Sequence, residues 1–428
     1  MRKIKNLRWQ IAFLLSAAIG LCYLYKQSLP VIVPELQKSI PISDSQYSQL
    51  QFVFLLAYGV MSAIGGGLLD MVGTRTGYLV MLIWWSVTNM LQGLVTNVFG
   101  LGVARFLLGL GEGGGFPGAA KAISEWFPKQ ERSLAFGIFN TGASIGALIA
   151  PPLFASLVLW SNWRVAFLVT GVIGLLLAFV WYRIYEVPEK HKRITETERE
   201  YIEASLQSSI TKQHRITWLR LLRIRPIWGL CGAKFLSDSA WFFFIFWLPK
   251  YLADVRHLNI KEIGNYGWVP YAVSGTGCVV GGWLSGLLIR RGLSVDASRK
   301  TLMALGASLM PVSLLISASP LSYTILFFSM AMFGHQVWSS ILQTLVADIF
   351  PSTIVGSVTG MLGAAGSCGG MLFNLLVGAL LTSYHTYSIV FLIAGLLHPI
   401  SFAVILLLVR RIEPFDLKSE QFDCGSAL

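Results

Sequence analysis

The sequence predicts an all-α membrane protein: twelve transmembrane helices in two pseudo-symmetric six-helix bundles. Three observations predict it. Only 13% of the 428 residues are charged and 54% are hydrophobic, whereas a soluble domain carries about 25% charged residues. Apolar stretches near the 20 residues needed to cross a bilayer recur along the whole chain. One long polar stretch, 184–225, divides them six and six.

The first span, 9–34, is too long for the roughly 7–15-residue apolar core of a signal peptide. The second, 46–69, runs into the loop Gly66-x-x-x-Asp70-x-x-Gly73-Thr-Arg75. Spans 78–97 and 99–121 follow. The fifth, 133–158, carries Gly142-x-x-x-Gly146 ahead of Pro151-Pro152, and the sixth is 164–183. Within the polar stretch, Thr195-Glu-Thr-Glu198 has the capping-box pattern that opens a short helix. The second set is 226–252, 263–289, 301–318, 322–347, 354–382 and 387–409. Gly281, Gly282 and Gly286 lead to Arg290-Arg291-Gly292 after its second member, faintly repeating the Gly66 loop. Gly360, Gly363, Gly366, Gly369 and Gly370 line its fifth member, as Gly142 and Gly146 line span 5. Small residues at such spacings let helices approach closely. The expected organisation is a bundle over 1–183, a cytoplasmic linker over 184–225, a bundle over 226–410 and a cytoplasmic tail over 411–428.

The net charge of +12 reflects threading, not a nucleic-acid partner. With the termini placed inside, 24 of the 33 Lys and Arg residues fall in inner loops, the linker and the tails. Only Lys38, Arg164, Lys250, Arg256 and Lys261 fall outside. That asymmetry places both termini in the cytoplasm, and the expected location is the inner (plasma) membrane. Cys22, Cys231, Cys278, Cys368 and Cys424 are solitary, so neither a disulfide framework nor a zinc site is expected. There is no nucleophile elbow and no phosphate-binding loop, so the expectation is a chain that is not an enzyme and needs no cofactor or metal. Repeated six-span halves point to a transporter with its site between them.

In the Gly66 loop, Gly66 permits close helix contact, Asp70 caps or pairs across the gap, and Arg75 supplies the opposing charge. With Gly73, these residues read as a lock on one side of a two-state carrier; the competing reading is an ordinary charged loop. The pattern resembles the loop signature of the major facilitator superfamily. Arg105-Phe-Leu-Leu-Gly-Leu-Gly-Glu112, Phe116-Pro117, Lys121 and Glu125-Trp-Phe-Pro-Lys-Gln-Glu-Arg132 are similar to span 4 of its anion:cation symporter family. Phe139-Asn140-x-Gly142 and Gly146-Ala-Leu-Ile-Ala-Pro-Pro152 resemble that family's span 5. Lys234-Phe-Leu-Ser-Asp238-Ser-Ala-Trp241, Phe246-Trp-Leu-Pro-Lys-Tyr251, His335-Gln336-x-Trp338-Ser339, Asp348-Ile-Phe-Pro351 and Gly370-Met-Leu-Phe-Asn374 resemble its hexuronate-transporter branch. The resemblance implies proton-coupled symport of a sugar-acid anion. One departure stands out: the family usually has Tyr-Leu-Asp-Arg in span 1, and this chain has Tyr23-Leu-Tyr25-Lys26. The acid that the resemblance links to proton coupling is absent there.

A charge in the bilayer core costs at least about 2.5–3.5 kcal/mol on insertion scales, so Lys26, Arg105, Glu112, Lys234 and Asp238 need partners or a wet cavity. Lys26 and Lys234 come from different halves, and two cations across a central cavity attract a carboxylate. The competing readings are snorkelling for Lys26 and a structural pair with Asp238 for Lys234. Lys234, Asp238 and Trp241 share one helical face, and Trp241 is placed to stack on a sugar ring or simply to pack. Desolvation and a nearby cation act oppositely on a buried carboxyl, so Glu112 is the expected proton carrier, with Arg105 its partner and Asp238 the second coupling acid. A permanent Arg105–Glu112 salt bridge is the alternative. Tyr23, Tyr58, Asn140, His335, Gln336 and Asn374 are the remaining expected substrate contacts, each balanced by an inter-helix hydrogen-bonding role.

The expected function is proton-coupled import of a hexuronate or related aldonate by rocking of the two bundles. In the expected order, Glu112 loads a proton and frees Arg105, and the anion then binds between Lys26 and Lys234. The expected partners are the carboxylate, the proton and the lipid bilayer, for a monomer that binds no nucleic acid. The alternatives are a carrier for an aldarate or tartrate, an uncoupled facilitator, or a transporter-derived ligand sensor.

Overall fold

The computed structural model describes residues 3, 5–207, 221–350 and 352–413. Linker residues 208–220 and tail residues 414–428, including Cys424, lie outside the described residues, as does Pro351. The first half contains α1 (Leu7–Leu36), α2 (Asp44–Val72), α3 (Thr74–Gln92), α4 (Val98–Glu112), α5 (Gly115–Trp126), α6 (Lys129–Trp160) and α7 (Trp163–Ile184). The linker contributes α8 (Glu196–Gln207). The second half contains α9 (Arg225–Asp254), α10 (Ile260–Tyr266), α11 (Val269–Arg290), α12 (Val295–Leu309) with a 3₁₀ turn (Met310–Leu315), α13 (Leu321–Ile349), α14 (Ser352–Tyr384) and α15 (Ser388–Leu408). Taking α4–α5, α10–α11 and α12 with its 3₁₀ turn each as one broken span accounts for the twelve.

The helix starts follow from local chemistry. Ser43 accepts from the Gln46 N–H while Gln46 accepts from the Ser43 N–H, a complete capping box opening α2. Asn97, Asn162, Asn259 and Ser294 cap α4, α7, α10 and α12 in the same sense, with their side-chain oxygens accepting first-turn N–H groups.

Glycine sets the closest helix contacts. Gly142 and Gly146 of α6 face Ser16 and Gly20 of α1, where a Cβ on Gly20 would sit 2.9 Å from the Gly142 carbonyl oxygen. In the second half, Gly369 and Gly370 of α14 face α9, where their Cβ atoms would come within 2.8 Å of Ser239 Oγ and 2.9 Å of Phe242 Cγ. The expected pairing of small-residue faces is therefore present in both halves.

Every described contact across the halves that carries a charge or hydrogen bond lies at the face remote from the chain ends. Lys250 Nζ is 2.8 Å from Asp44 Oδ1. The Tyr47 hydroxyl donates to the Phe246 carbonyl at 2.5 Å, and the Tyr271 hydroxyl to Gln27 Oε1 at 3.1 Å. Gly378 packs on Ser48 and Gly264 on Ala155 at this same face. Contact continues to mid-depth, where a Cβ on Gly59 would lie 3.2 Å from Ser367 Cβ, and then stops. Gly67, Gly137, Gly282, Gly356 and Gly363, nearer the chain ends, meet no such neighbour within 4 Å. Among the described residues, the charged and hydrogen-bonded contacts between the two halves thus gather away from the face at which α1 begins and α15 ends.

The linker helix packs differently from its expected capping box. Thr195 Oγ1 accepts from the Glu198 N–H at 3.4 Å, but the Glu198 carboxylate turns to another helix. It accepts from the Leu7 N–H at 3.0 Å, the Arg8 N–H at 3.2 Å and the Arg8 guanidinium at 2.9 Å. The start of α1 has four N–H groups without intrahelical partners and a partial positive charge, so a carboxylate from α8 satisfies it.

Candidate functional site

The substrate-contact and proton-coupling side chains singled out by the sequence come from α1, α2, α4 and α6 in the first half and from α9, α13 and α14 in the second. Lys26 is 2% exposed, so it does not snorkel to an interface. Its Nζ lies 4.3 Å from the Tyr58 ring centroid, 4.6 Å from Tyr23 and 6.0 Å from Phe54. Among the described residues no carboxylate is within ion-pair distance of it. Aromatic faces attract a cation without occupying it as a carboxylate would, which leaves the ammonium nitrogen available to an incoming anion. Tyr25, at the position of the missing acid, points elsewhere: its hydroxyl donates to the Thr170 carbonyl at 2.8 Å and ties α1 to α7.

The alternative reading, a permanent Arg105–Glu112 salt bridge, is not found among the described ion pairs. Arg105 donates to Gln51 Oε1 at 2.7 Å and stacks over Phe54 at 4.4 Å. Glu112 stands two turns along the same helix, about 10.5 Å of rise away, beside Cys22 of α1. Among the described residues the buried Glu112 carboxylate has the Cys22 thiol as its one hydrogen-bonding neighbour, and Arg105 Nε and one terminal nitrogen are buried without a partner. Phe54 separates the levels, with Arg105 on its outer side and Lys26 on its inner side. Phe54 also meets Phe246 of the second half edge-to-face at 6.2 Å, so this aromatic layer joins the two halves.

In the second half the Lys234–Asp238 pair forms, at 2.9 Å, with side chains 15% and 10% exposed. Asp238 packs against Gly366 of α14, where any side chain would displace it. Trp241 is half-buried on the same face and stacks flat on His335, with centroids 4.5 Å and planes 7° apart. His335 is not alone: its Nδ1 is 3.0 Å from His398 Nε2. Gln336 is partly buried against Gly277 of α11. Asn140 is exposed on α6, one turn from Ser144, which faces Gly275 of α11.

Asn374 takes the inter-helix hydrogen-bonding role, one of its two readings. It is fully buried, accepts from Trp247 Nε1 at 2.8 Å and donates to the Gly370 carbonyl at 2.7 Å. Its amide is engaged within the bundle.

The Gly66 loop also pairs within its own half. Asp70 meets Lys121 of α5 at 2.8 Å, and Lys121 also donates to the Leu69 carbonyl at 2.8 Å. Arg75 meets Glu186 and the Tyr182 carbonyl rather than Asp70. Gly73 turns the chain between α2 and α3 at φ +85°, where a residue with a Cβ is strained. Gly66 has Pro117 of the same half as its neighbour.

Sequence reasoning missed the closure at the far face and the second histidine. Lys250, counted with outer-loop charges, is 3% exposed and joins Asp44 with Asp254. The signal available was its four-residue spacing from Asp254 at the end of an apolar helix. For His398, a lone polar residue beside Pro399 in an apolar span, the only signal was its cost in the bilayer.

These features define a polytopic helical membrane protein whose two halves each carry buried charged side chains within their apolar helices. The family model of the Major Facilitator Superfamily matches residues 11–334 and 292–423, and the chain belongs to that superfamily. It is 36% identical to the hexuronate transporter of Escherichia coli K12 over 386 residues, 89% of each chain. It is 36% identical to the galacturonate transporter of Dickeya chrysanthemi over 316 residues, 72% of this chain and 91% of that one. It is 27% identical to a D-galactonate transporter of Escherichia coli O6:H1 over 394 residues, 88% of this chain and 90% of that one. In fold it is similar to the crystal structure of a bacterial homologue of the human lysosomal transporter Spinster in an inward-facing, unoccupied conformation. That match has a TM-score of 0.70 at 18% identity and covers 95% of this chain and 96% of that one.

Proposed function

We propose that this protein imports a sugar-acid anion, a hexuronate foremost, together with a proton, by alternating access. The observation that carries this reading is Lys26: a buried ammonium with aromatic neighbours and, among the described residues, no carboxylate within ion-pair distance, with Lys234 as the matching cation of the other half. The 36% identity to hexuronate and galacturonate transporters supports the sugar-acid class.

In this reading residues 1–183 and 226–410 rock about a central chamber as two bundles, with the termini in the cytoplasm. The described conformation is then open inward, with the Asp44–Lys250 contact sealing the outside. When the protein is open outward, Glu112 takes a proton. With that acid neutral, Lys26 and Lys234 bind the substrate carboxylate, which competes with Asp238 for the Lys234 ammonium. Tyr23, Tyr58, Gln336 and Asn140 offer hydrogen-bonding groups for sugar hydroxyls, and Trp241 offers an aromatic face. Reorientation wets the chamber from the cytoplasm, where Glu112 releases its proton and the anion leaves. Tyr25 bonds to the α7 backbone, which leaves Glu112 as the exchangeable acid of the first half. Arg105, held by Gln51, acts as a fixed cation above the Phe54 layer. The Gly66–Arg75 segment, paired within its own half here, engages the other half when the inner face closes.

Purified protein in liposomes, offered labelled hexuronates and aldonates under an acid-outside pH gradient, tests the reading. Uptake of a hexuronate that stops when the gradient is collapsed is expected. Uptake unaffected by the gradient contradicts coupling, and transport of an aldarate or tartrate with no uronate uptake contradicts the substrate class.

A further inference from the structure

The stack behind Trp241 points to a selectivity that the sugar-acid reading alone does not contain. Trp241, His335 and His398 come from α9, α13 and α15, so three helices hold one assembly. The indole lies flat on the His335 imidazole at 4.5 Å and 7°. His335 is fixed by its 3.0 Å hydrogen bond to His398. His398 is fully buried and set edge-on to Trp338 at 5.7 Å and 73°. One turn along α15, the Ser401 hydroxyl donates to the Ala233 carbonyl at 2.8 Å, which registers α15 against α9 beside Lys234. Trp241 keeps part of its surface exposed and stands on the helical face that carries Lys234 and Asp238.

A flat aromatic surface backed by a second ring cannot tilt to follow a flexible ligand. It suits a rigid ligand with an apolar face of axial C–H groups, as a pyranose ring has. An open-chain polyhydroxy acid presents no such face and gains little from the platform. We propose that His398 is a positioning residue: through His335 it holds Trp241 as a rigid platform that makes the carrier select ring-form sugar acids over open-chain ones. This rests on the sugar-acid function proposed above.

Counterflow in liposomes tests it, with labelled galacturonate as the ring acid and labelled galactonate as the open-chain acid. The wild-type protein is expected to half-saturate at lower concentration with galacturonate. His398→Leu removes the buried hydrogen bond and is expected to raise the galacturonate half-saturation roughly fivefold, with maximal rate and galactonate half-saturation unchanged. His398→Gln, which places an amide near the lost ring nitrogen, is expected to stay within about twofold of wild type on the same scale. Trp241→Leu, at a half-exposed position, is expected to abolish the preference and provides the test even where His398→Leu does not fold. A galacturonate-to-galactonate ratio unchanged in Trp241→Leu, or changed for both acids alike in His398→Leu, overturns the proposal while leaving sugar-acid transport standing. Wild-type counterflow of neither acid overturns the sugar-acid reading itself.

Discussion

Lys250 Nζ lies 2.8 Å from Asp44 Oδ1, joining the end of α9 to the start of α2. It is the ion pair that crosses between the two halves among the described residues. The lysine side chain is 4% exposed and the aspartate 33%, so the pair is enclosed on one side and wet on the other. Losing one partner of a fully buried pair costs about 3–5 kcal/mol; the exposure of Asp44 lowers that figure.

Asp44→Asn is therefore expected to shift the population toward the conformation open at the far face by on the order of tenfold, about 1.4 kcal/mol. Lys250→Ala shifts it further, because Asp254 then also loses its cation. Spin-label distances between the outer ends of α2 and α9 report the shift. Unchanged distances in both variants show that the contact does not hold the closed face.

Asn374→Ala leaves the buried Trp247 N–H without its acceptor, at a cost of about 1–3 kcal/mol. The expected result is a lower unfolding temperature with half-saturation for substrate near that of wild type. A large loss of affinity in a variant of normal stability would instead make Asn374 a substrate contact.

Gly146→Val places a branched side chain against the Gly20 backbone of α1. The backbone cannot yield as a side-chain tip would, so the first bundle is expected to misassemble, with little protein surviving detergent extraction. Gly282→Ala, where no neighbour lies within 4 Å, is expected to be neutral in the same assay.

His191 lies outside the spans, against Trp126, with its Nδ1 accepting from the Arg193 N–H and its Nε2–H donating to the Ile184 carbonyl. Burial pushes its proton affinity below the ordinary histidine value. Unfolded linker then binds more protons than folded linker, so the docked state gains stability as pH rises toward 6.5 and loses it as pH falls below. Hydrogen exchange over residues 188–207 is expected to quicken on acidification in wild type but not in His191→Gln. An equal response in both rules out His191 as the cause.

Membrane spans, their small-residue faces and the Lys234–Asp238 pair were legible in the sequence because each rests on local spacing. An apolar run, a Gly-x-x-x-Gly step and a four-residue ion pair need only one helix. What was not legible depends on which helices meet. Arg105 and Glu112 share a helix face, but Gln51 of α2 reaches the guanidinium first. Glu198 matches its own helix's capping pattern, yet the unsatisfied start of α1 takes the carboxylate. Asn374 reads equally as a substrate contact or a bundle partner until Trp247, 127 residues away, claims its oxygen. His398 has no near partner in sequence and acquires its meaning only from His335.

In the function proposed above, Glu112 carries the coupled proton while Lys26 and Lys234 hold the anion. Glu112→Gln mimics the protonated acid without exchanging a proton. The most direct measurement compares galacturonate counterflow with acid-outside uptake for this variant in the same liposomes. Counterflow is expected to survive while pH-driven accumulation is lost. Accumulation that persists at the wild-type level in Glu112→Gln contradicts that role of Glu112.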